Sequence, residues 1–347
     1  MSRTGQAGAR VHDAAADRRL SALILELYRE ARERDARTFC DWALRRAREV
    51  VAFDSAMWGH GNATAERVDL FDVHLVDQPA SMLQNYARVQ QHDFLARAVG
   101  ASPHVTVELY SIISREAFVR TPMYRRHARR FGMENLLCTG WPESPSGLLS
   151  VISFWRAEVA RRFSEAERAT TEFLVPHLVE ARRLSVLGAM QRRVGIGEMP
   201  GGCVAVCDQR GVLHEAEEGF VRLVASQWPS WHGPALPEPL ATALRKGRKV
   251  RLAVGELRFE WAWLDRRLLV GLRRATAIDR LSARERAIVE RVARGGTAKL
   301  VARELRLQPT TVRNHLASAH RKLGVSNRAQ LVRALVAAGW PGADRGD

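Results

Sequence analysis

Residues 281–335 read LSARERAIVERVARGGTAKLVARELRLQPTTVRNHLASAHRKLGVSNRAQLVRAL, and this stretch decides the C-terminal fold. Ser282 followed three residues on by Glu285 is a capping box, so a helix starts at Ala283. Ile288, Val289 and Val292 form its apolar stripe, and Gly295-Gly296 ends it. A second helix is predicted over about Ala298 to Arg306, with Val301, Ala302 and Leu305 inward. Leu307-Gln308-Pro309 breaks it, and Pro309 suits the first position of a third helix. There Val312, Leu316, Ala319 and Leu323 share one side at helical spacing, and Thr310, Arg313, Asn314, Ala317 and Arg321 lie opposite. Gly324 closes this helix. Asn327 with Gln330 caps a fourth, striped by Leu331, Val332, Leu335 and Val336.

Two short helices joined by a tight turn, the second with an exposed polar and basic face, fit a helix-turn-helix reader of double-stranded DNA. On pattern alone, the alternative is a small helical bundle with a solvated basic face. Ala317 is small enough to let that face approach the floor of a groove. Leu281 to Glu285, Gly295, Lys299 to Ala302, Leu305, Thr311 to Leu316, Lys322 to Val325 and Asn327 to Leu331 closely resemble the LuxR-type helix-turn-helix family. The resemblance runs without a gap from Leu281 to Leu331. It implies a transcription regulator whose third helix enters the major groove, with Arg313, Asn314 and Ala317 facing bases. It also implies phosphate contacts at Lys299, Thr311 and Lys322, and we add Thr310 and Arg321 from the same exposed face. A homodimer with the fourth helix in the interface follows from the same resemblance, and RNA polymerase is a partner it admits. The sequence departs from the family at Gln308, where a serine N-cap is usual; glutamine is a poor cap.

The remainder of the 347-residue chain is expected to hold one or two further domains. Residues 1–14 show no periodicity and read as a disordered tail, as do 341–347. Leu20, Leu23, Ile24, Leu27 and Ala31 predict a first helix, and Phe39, Trp42, Ala43, Ala47 and Val50 a second. After Gly59 and Gly61 the period changes to two, in Phe71, Val73 and Leu75 and again in Val105, Val107 and Leu109. Leu136 to Cys138 and Leu148 to Trp155 read as central strands. Ser164 with Glu167 opens a helix reaching about Arg193, with Pro176 expected to kink it. This order describes an α+β domain over 15–194 that resembles a GAF-type sensor in layout. Residues 195–202 are a glycine-rich linker. Over 203–275 a strand at Cys203 to Cys207, a helix at about Ala216 to Gln227, and paired strands around Asp265-Arg266 resemble a PAS-like module. The helix-turn-helix domain occupies 280–340. Along the long helix, Leu174, Leu178, Ala181 and Leu184 form an apolar stripe expected to serve dimerisation.

Net charge is +16, from 54 basic and 38 acidic residues, and only Lys246, Lys249, Lys299 and Lys322 are lysines. That ratio reads as codon bias, so where the charge sits matters more than the total. From Leu281 onward there are 13 basic and 5 acidic residues, half of the whole excess. No apolar run reaches about 18 residues and no secretory leader is visible, so a cytoplasmic protein without a membrane partner is expected. Cys40, Cys138, Cys203 and Cys207 are expected to be buried and reduced. No metal-site spacing, P-loop, nucleophile elbow or dinucleotide fingerprint occurs, so no enzyme, cofactor or metal is expected. Trp58, Tyr86, Tyr110, Tyr124 and Trp141 are candidates for a ligand pocket, with core packing as their alternative role. The run Arg125-Arg126-His127-Ala128-Arg129-Arg130 is the densest basic cluster outside the C-terminal domain. It suits an anion or a solvated face. The reading is a one-component regulator with a small-molecule sensor; control by a protein partner without a ligand is the alternative.

Overall fold

The computed structural model describes residues 14–63, 68–194, 202–246 and 249–338. The expected tails and linker lie outside these, apart from Ala14 and Gly202. The chain forms two compact units. One is built from residues up to Arg193 with Val212–Glu215 and His232–Leu236. The other comprises Val194–Gly211, Ala216–Trp231 and the chain from Pro237 onward.

The first unit contains α1 (Ala14–Glu33), α2 (Ala36–Ala47), β1 (Ser55–Ala63), β2 (Val68–Val76), α3 (Ser81–Tyr86) and α4 (Phe94–Ala101). After these come β3 (Thr106–Glu108), α5 (Arg115–Phe118), α6 (Pro122–Arg126), β4 (Asn135–Glu143), β5 (Leu148–Arg156) and α7 (Glu165–Val194). The strands form an antiparallel sheet in the order β2-β1-β5-β4-β3. Alternate residues leave its two faces, as the pleat requires. Trp58, Leu137, Ile152 and Phe154 join Leu27, Phe39, Leu44, Leu174 and Leu178 in a core shared with α1, α2 and α7. Met57, Leu136, Cys138, Val151 and Trp155 point the other way, into a cluster with Met82, Leu95, Val99 and Phe118 of α3 to α5. The unit is therefore a sheet with helices on both faces.

Two sequence expectations change here. Gly59 and Gly61 lie inside β1 rather than before the first strand. At Gly61 a Cβ would fall 1.9 Å from the Asp69 carbonyl oxygen, beside the register shift at His60, so only glycine fits. Leu174, Leu178 and Ala181 are completely buried in the unit's own core. They cannot supply a dimer surface, and removing a side chain such as Leu178 would cost about 2–5 kcal/mol of stability. The helix runs through Pro176, opened by the expected Ser164–Glu167 capping bonds.

Farther along the chain come β6 (Cys203–Asp208), β7 (Leu213–Ala216, whose first three residues belong to the first unit), α8 (Glu218–Gln227), α9 (Glu238–Arg245), β8 (Lys249–Val254), β9 (Leu257–Leu264) and β10 (Arg267–Arg274). Their antiparallel sheet has the order β7-β6-β10-β9-β8, which repeats the order of the first sheet strand for strand. The predicted helix at Ala216 begins two residues later, because Leu213–Ala216 is strand. Phe220 and Val224 of α8, with Phe259, Trp261, Leu268 and Leu272, fill the core. All four cysteines are free and buried, as expected. Burial pushes the Cys40 and Cys138 thiols up to about 12, so they are inert at neutral pH. The second unit ends in α10 (Ala283–Ala293), α11 (Ala298–Glu304), α12 (Pro309–Leu323) and α13 (Arg328–Ala337).

Candidate nucleic-acid interface

The four C-terminal helices enclose Ile288, Val289, Val301, Val312, Ala319, Leu331 and Leu335, all with no solvent exposure. Their starts follow the capping logic read from the sequence. Glu285 N donates to Ser282 Oγ at 3.2 Å, and Ser282 N donates to Glu285 Oε2 at 2.7 Å. Thr297 caps α11 through Leu300 N, and Asn327 caps α13 through Gln330 N. At α12, Gln308 makes no side-chain capping bond, and Pro309 takes the first turn, where its missing N–H costs nothing.

The helix ends share one device. After α10, Gly296 N donates to Arg291 O and Gly295 N to Val292 O, with Gly295 at φ 101°. After α12, Val325 N donates to His320 O and Gly324 N to Arg321 O, with Gly324 at φ 66°. Both are Schellman motifs. The turn between α11 and α12 is built the same way, from Leu307 N to Ala302 O and Arg306 N to Arg303 O. There the left-handed residue is Arg306, at φ 52°.

These ends fix the direction of α12. Arg313, Asn314 and Ala317 stand exposed on it, with Thr310 and Arg321, while Thr311 is half-buried. Among the described residues, neither Arg313 nor Asn314 has an ion pair or a side-chain hydrogen bond. Lys299 is exposed in the first turn of α11, also without an ion pair. His315 is half-buried at the edge of the inward stripe. The exposed face thus offers unspent donors: an arginine fork that can pair with guanine O6 and N7, and an amide that can pair with adenine N6 and N7.

Lys322 differs from the other named cations. Its Nζ lies 2.9 and 2.7 Å from the two oxygens of Glu285, whose carboxylate is buried at 3% exposure. The Lys322 hydrogen bond holds that carboxyl at about 2. Lys322 therefore fastens the last turn of α12 to the cap of α10, with its charge matched inside the domain. Sequence reasoning also passed over Arg303 and Arg306, exposed cations without an ion pair among the described residues. Listing the basic residues of α11 and its turn, rather than of α12 alone, would have found them.

A second unforeseen feature precedes α10. Thr276 and Asp279 form a reciprocal cap. Arg273 grips Asp279 with two hydrogen bonds of 2.6 and 2.8 Å. Burial raises the Asp279 carboxyl, but the bonds from Arg273 and Thr276 outweigh it and hold it at about 2. Strand β10 is thereby tied to the entry of the DNA-reading helices.

The five aromatic candidates of the first unit do not converge on one pocket. Trp58 is fully buried and belongs with Trp141 to the core beneath α1, α2 and α7. Tyr110 and Tyr124 pack on the opposite face of the sheet. Tyr86 donates to Asp93 at 2.7 Å, Tyr110 to the Glu134 carbonyl at 2.7 Å, and Tyr124 to the Glu134 carboxylate at 2.6 Å. An open groove of about 600 Å³ lies elsewhere, between α2 and edge strand β2, lined by Arg34, Arg37, Trp42, Arg45 and His74 among others. No helix of the described residues is long and apolar enough to cross a membrane.

Residues 279–335 match the family described as bacterial regulatory proteins, luxR family. Over 62 residues the chain is 45% identical to the transcriptional regulatory protein UhpA of Escherichia coli (strain K12), covering 18% of this chain and 31% of UhpA. Over 59 residues it is 42% identical to the spore germination protein GerE of Bacillus subtilis (strain 168), covering 17% of this chain and 80% of GerE. The chain therefore spans less than a third of UhpA's length but most of GerE's. Among solved structures, the GAF domain of a phosphoenolpyruvate-protein phosphotransferase from Coxiella burnetii aligns with a TM-score of 0.34 and 14% identity, over 51% of this chain and 96% of that one. With its capped four-helix domain and this sequence match, the chain belongs to the LuxR family of bacterial regulatory proteins.

Proposed function

We propose that this LuxR-family transcription regulator reads duplex DNA with α12 in the major groove, as a homodimer, under the control of its first unit. The observation that carries the reading is the exposed Arg313–Asn314–Ala317 face, whose donors have no partner among the described residues and whose helix is fixed by a packed core. Arg313 and Asn314 are the base-reading residues. Lys299, Thr310, Thr311 and Arg321 hold phosphates and carry no sequence information. The groove between α2 and β2 offers a small anion Arg37 beside Trp42, since Arg34 is paired with Glu30 and Arg45 with Asp41 and Asp77. A second reading, control by a docking protein, is favoured by Leu25 and Phe173, each 56% exposed on α1 and α7.

The test is a set of titrations on a selected binding duplex and on random duplex at several salt concentrations. Arg313→Ala should lower affinity for the selected duplex by about 1–3 kcal/mol more than for random duplex. Lys299→Ala should weaken both alike and reduce the salt slope by about one. If Arg313→Ala were as indiscriminate as Lys299→Ala, Arg313 would be a phosphate clamp and the assignment wrong. A thermal-shift screen of small anions, repeated on Arg37→Ala, separates the two inputs: a saturable shift lost in the variant supports the ligand.

A further inference from the structure

From Ala117 to Met133 the chain contains no acidic residue but five arginines, Arg120, Arg125, Arg126, Arg129 and Arg130. All five are exposed, and none is ion-paired among the described residues. Glu134, the next acid along the chain, is spent on Arg115 and the Tyr124 hydroxyl. The display is also anchored. Thr121 caps α6 through Tyr124 N, Pro122 fills its first turn, and Met123, His127, Ala128 and Met133 are buried beneath it. His127 bonds Asn85 at 2.8 Å and packs between the rings of Tyr86 and Phe131. Burial lowers its pKa, so the buried imidazole adds no charge of its own at neutral pH. Arg125 and Arg126 close α6, and Arg129 and Arg130 lie in the 3-10 turn Ala128–Phe131, with His127 at φ −130° between the two segments.

Holding five like charges together costs electrostatic free energy in the free protein, and a rigid polyanion returns it. We infer that this segment is a second, sequence-independent contact for the phosphate backbone of duplex DNA. Between Arg120 and Arg130 the exposed side chains are arginines and Pro122, so the segment lacks the aromatic or aliphatic centre of a protein interface. It also lacks the apolar face that an interfacial helix inserts into lipid. The choice of polyanion rests on the DNA-reading assignment of α12. Arginine binding to phosphate releases counterions, so the contact should act through the salt dependence of affinity and leave base discrimination alone.

The experiment uses the full chain and a 40-base-pair duplex of random sequence. Replacing Arg125, Arg126, Arg129 and Arg130 by glutamine should lower the slope of log affinity against log salt by about two to four, since each phosphate contact contributes about 0.9. Preference for a selected duplex over random duplex should stay unchanged. A four-lysine variant should restore the slope, because lysine keeps the point charge. An unaltered slope in the glutamine variant, with unchanged circular dichroism, would overturn the inference. So would loss of binding to phosphatidylserine vesicles with duplex binding intact, which would assign the surface to a membrane. A wrong assignment of α12 shows separately, as unchanged discrimination in Arg313→Ala.

Discussion

Arg306 occupies the left-handed position that glycine fills after α10 and α12, at a φ of 52°. An L-residue pays roughly 1–2 kcal/mol for that conformation. Arg306→Gly should therefore slow amide exchange through α11 and the start of α12, by the equivalent of about 0.5–1 kcal/mol once the extra freedom of glycine in the unfolded chain is counted. The same change removes an exposed, unpaired cation, so random-duplex affinity should fall while stability rises. Faster exchange, or unchanged DNA affinity, would show that the strain and the charge are not linked in this way. At this scale the sequence was legible where helical position alone decides exposure, as for Arg313, Asn314 and Ala317. Lys322 was not legible, because its partner Glu285 lies 37 residues earlier and a single helix says nothing of ion pairs between helices. The separation of the pocket candidates was not legible for a related reason. Trp58 and Tyr110 lie on opposite faces of one sheet, and composition does not tell those faces apart.

Among elements, α12 is the one of the four C-terminal helices without a side-chain N-cap. Gln308 has the extended backbone of a capping residue, at φ −78° and ψ 143°, but its side chain is too long to reach back. Gln308→Ser should raise the stability of α12 by about 0.5–2 kcal/mol, read as slower exchange of Thr311 and Val312 amides. No gain would mean that the first-turn donors are already satisfied by another group. Capping residues and apolar stripes placed α10 to α13 closely, because each carries a start signal, a stripe and a stop signal. Helices α3, α5 and α6, of four to six residues, escaped notice because so short a segment cannot display a 3.6-residue period. The stripe of α7 was visible but ambiguous. A core-facing stripe and a dimer-facing stripe have the same period, and only the three-dimensional packing of Leu174, Leu178 and Ala181 decides between them.

Across the whole molecule, acid should act on His60 before it acts on Glu285 and Asp279. His60 is buried in the first unit, receiving the Ser150 hydroxyl on Nδ1 and donating Nε2–H to the His214 carbonyl at 2.8 Å. Burial, and then the Arg182 charge, hold its pKa well below the ordinary 6.5. The unfolded chain takes up a proton there that the folded unit refuses, so its contribution to stability falls as pH drops below about 6.5. Glu285 and Asp279 of the second unit are also held below their ordinary values, at about 2. Their contribution is present above about 4.5 and 3.8, respectively, and is lost only as pH falls toward 2. Burial raises the Glu143 carboxyl of the first unit to about 7, which opposes His60 above about 4.5. The comparison is therefore local: amide exchange at pH 7.5, 5.5 and 3.5 should quicken around His60 in β1 before it quickens in α10, and the reverse order would refute this charge assignment. The shared strand order has a consequence for how the chain acquires its structure. In both sheets the first strand pairs with the last, Ser55 opposite Trp155 and Cys203 opposite Leu272. Neither sheet can close until its final strand has left the ribosome, whereas α10 to α13 need only near neighbours. Contacts so distant along the chain make folding slow and local ones make it fast. The DNA-reading helices, although synthesised after both sheets, have the shortest wait between emergence and a finished core.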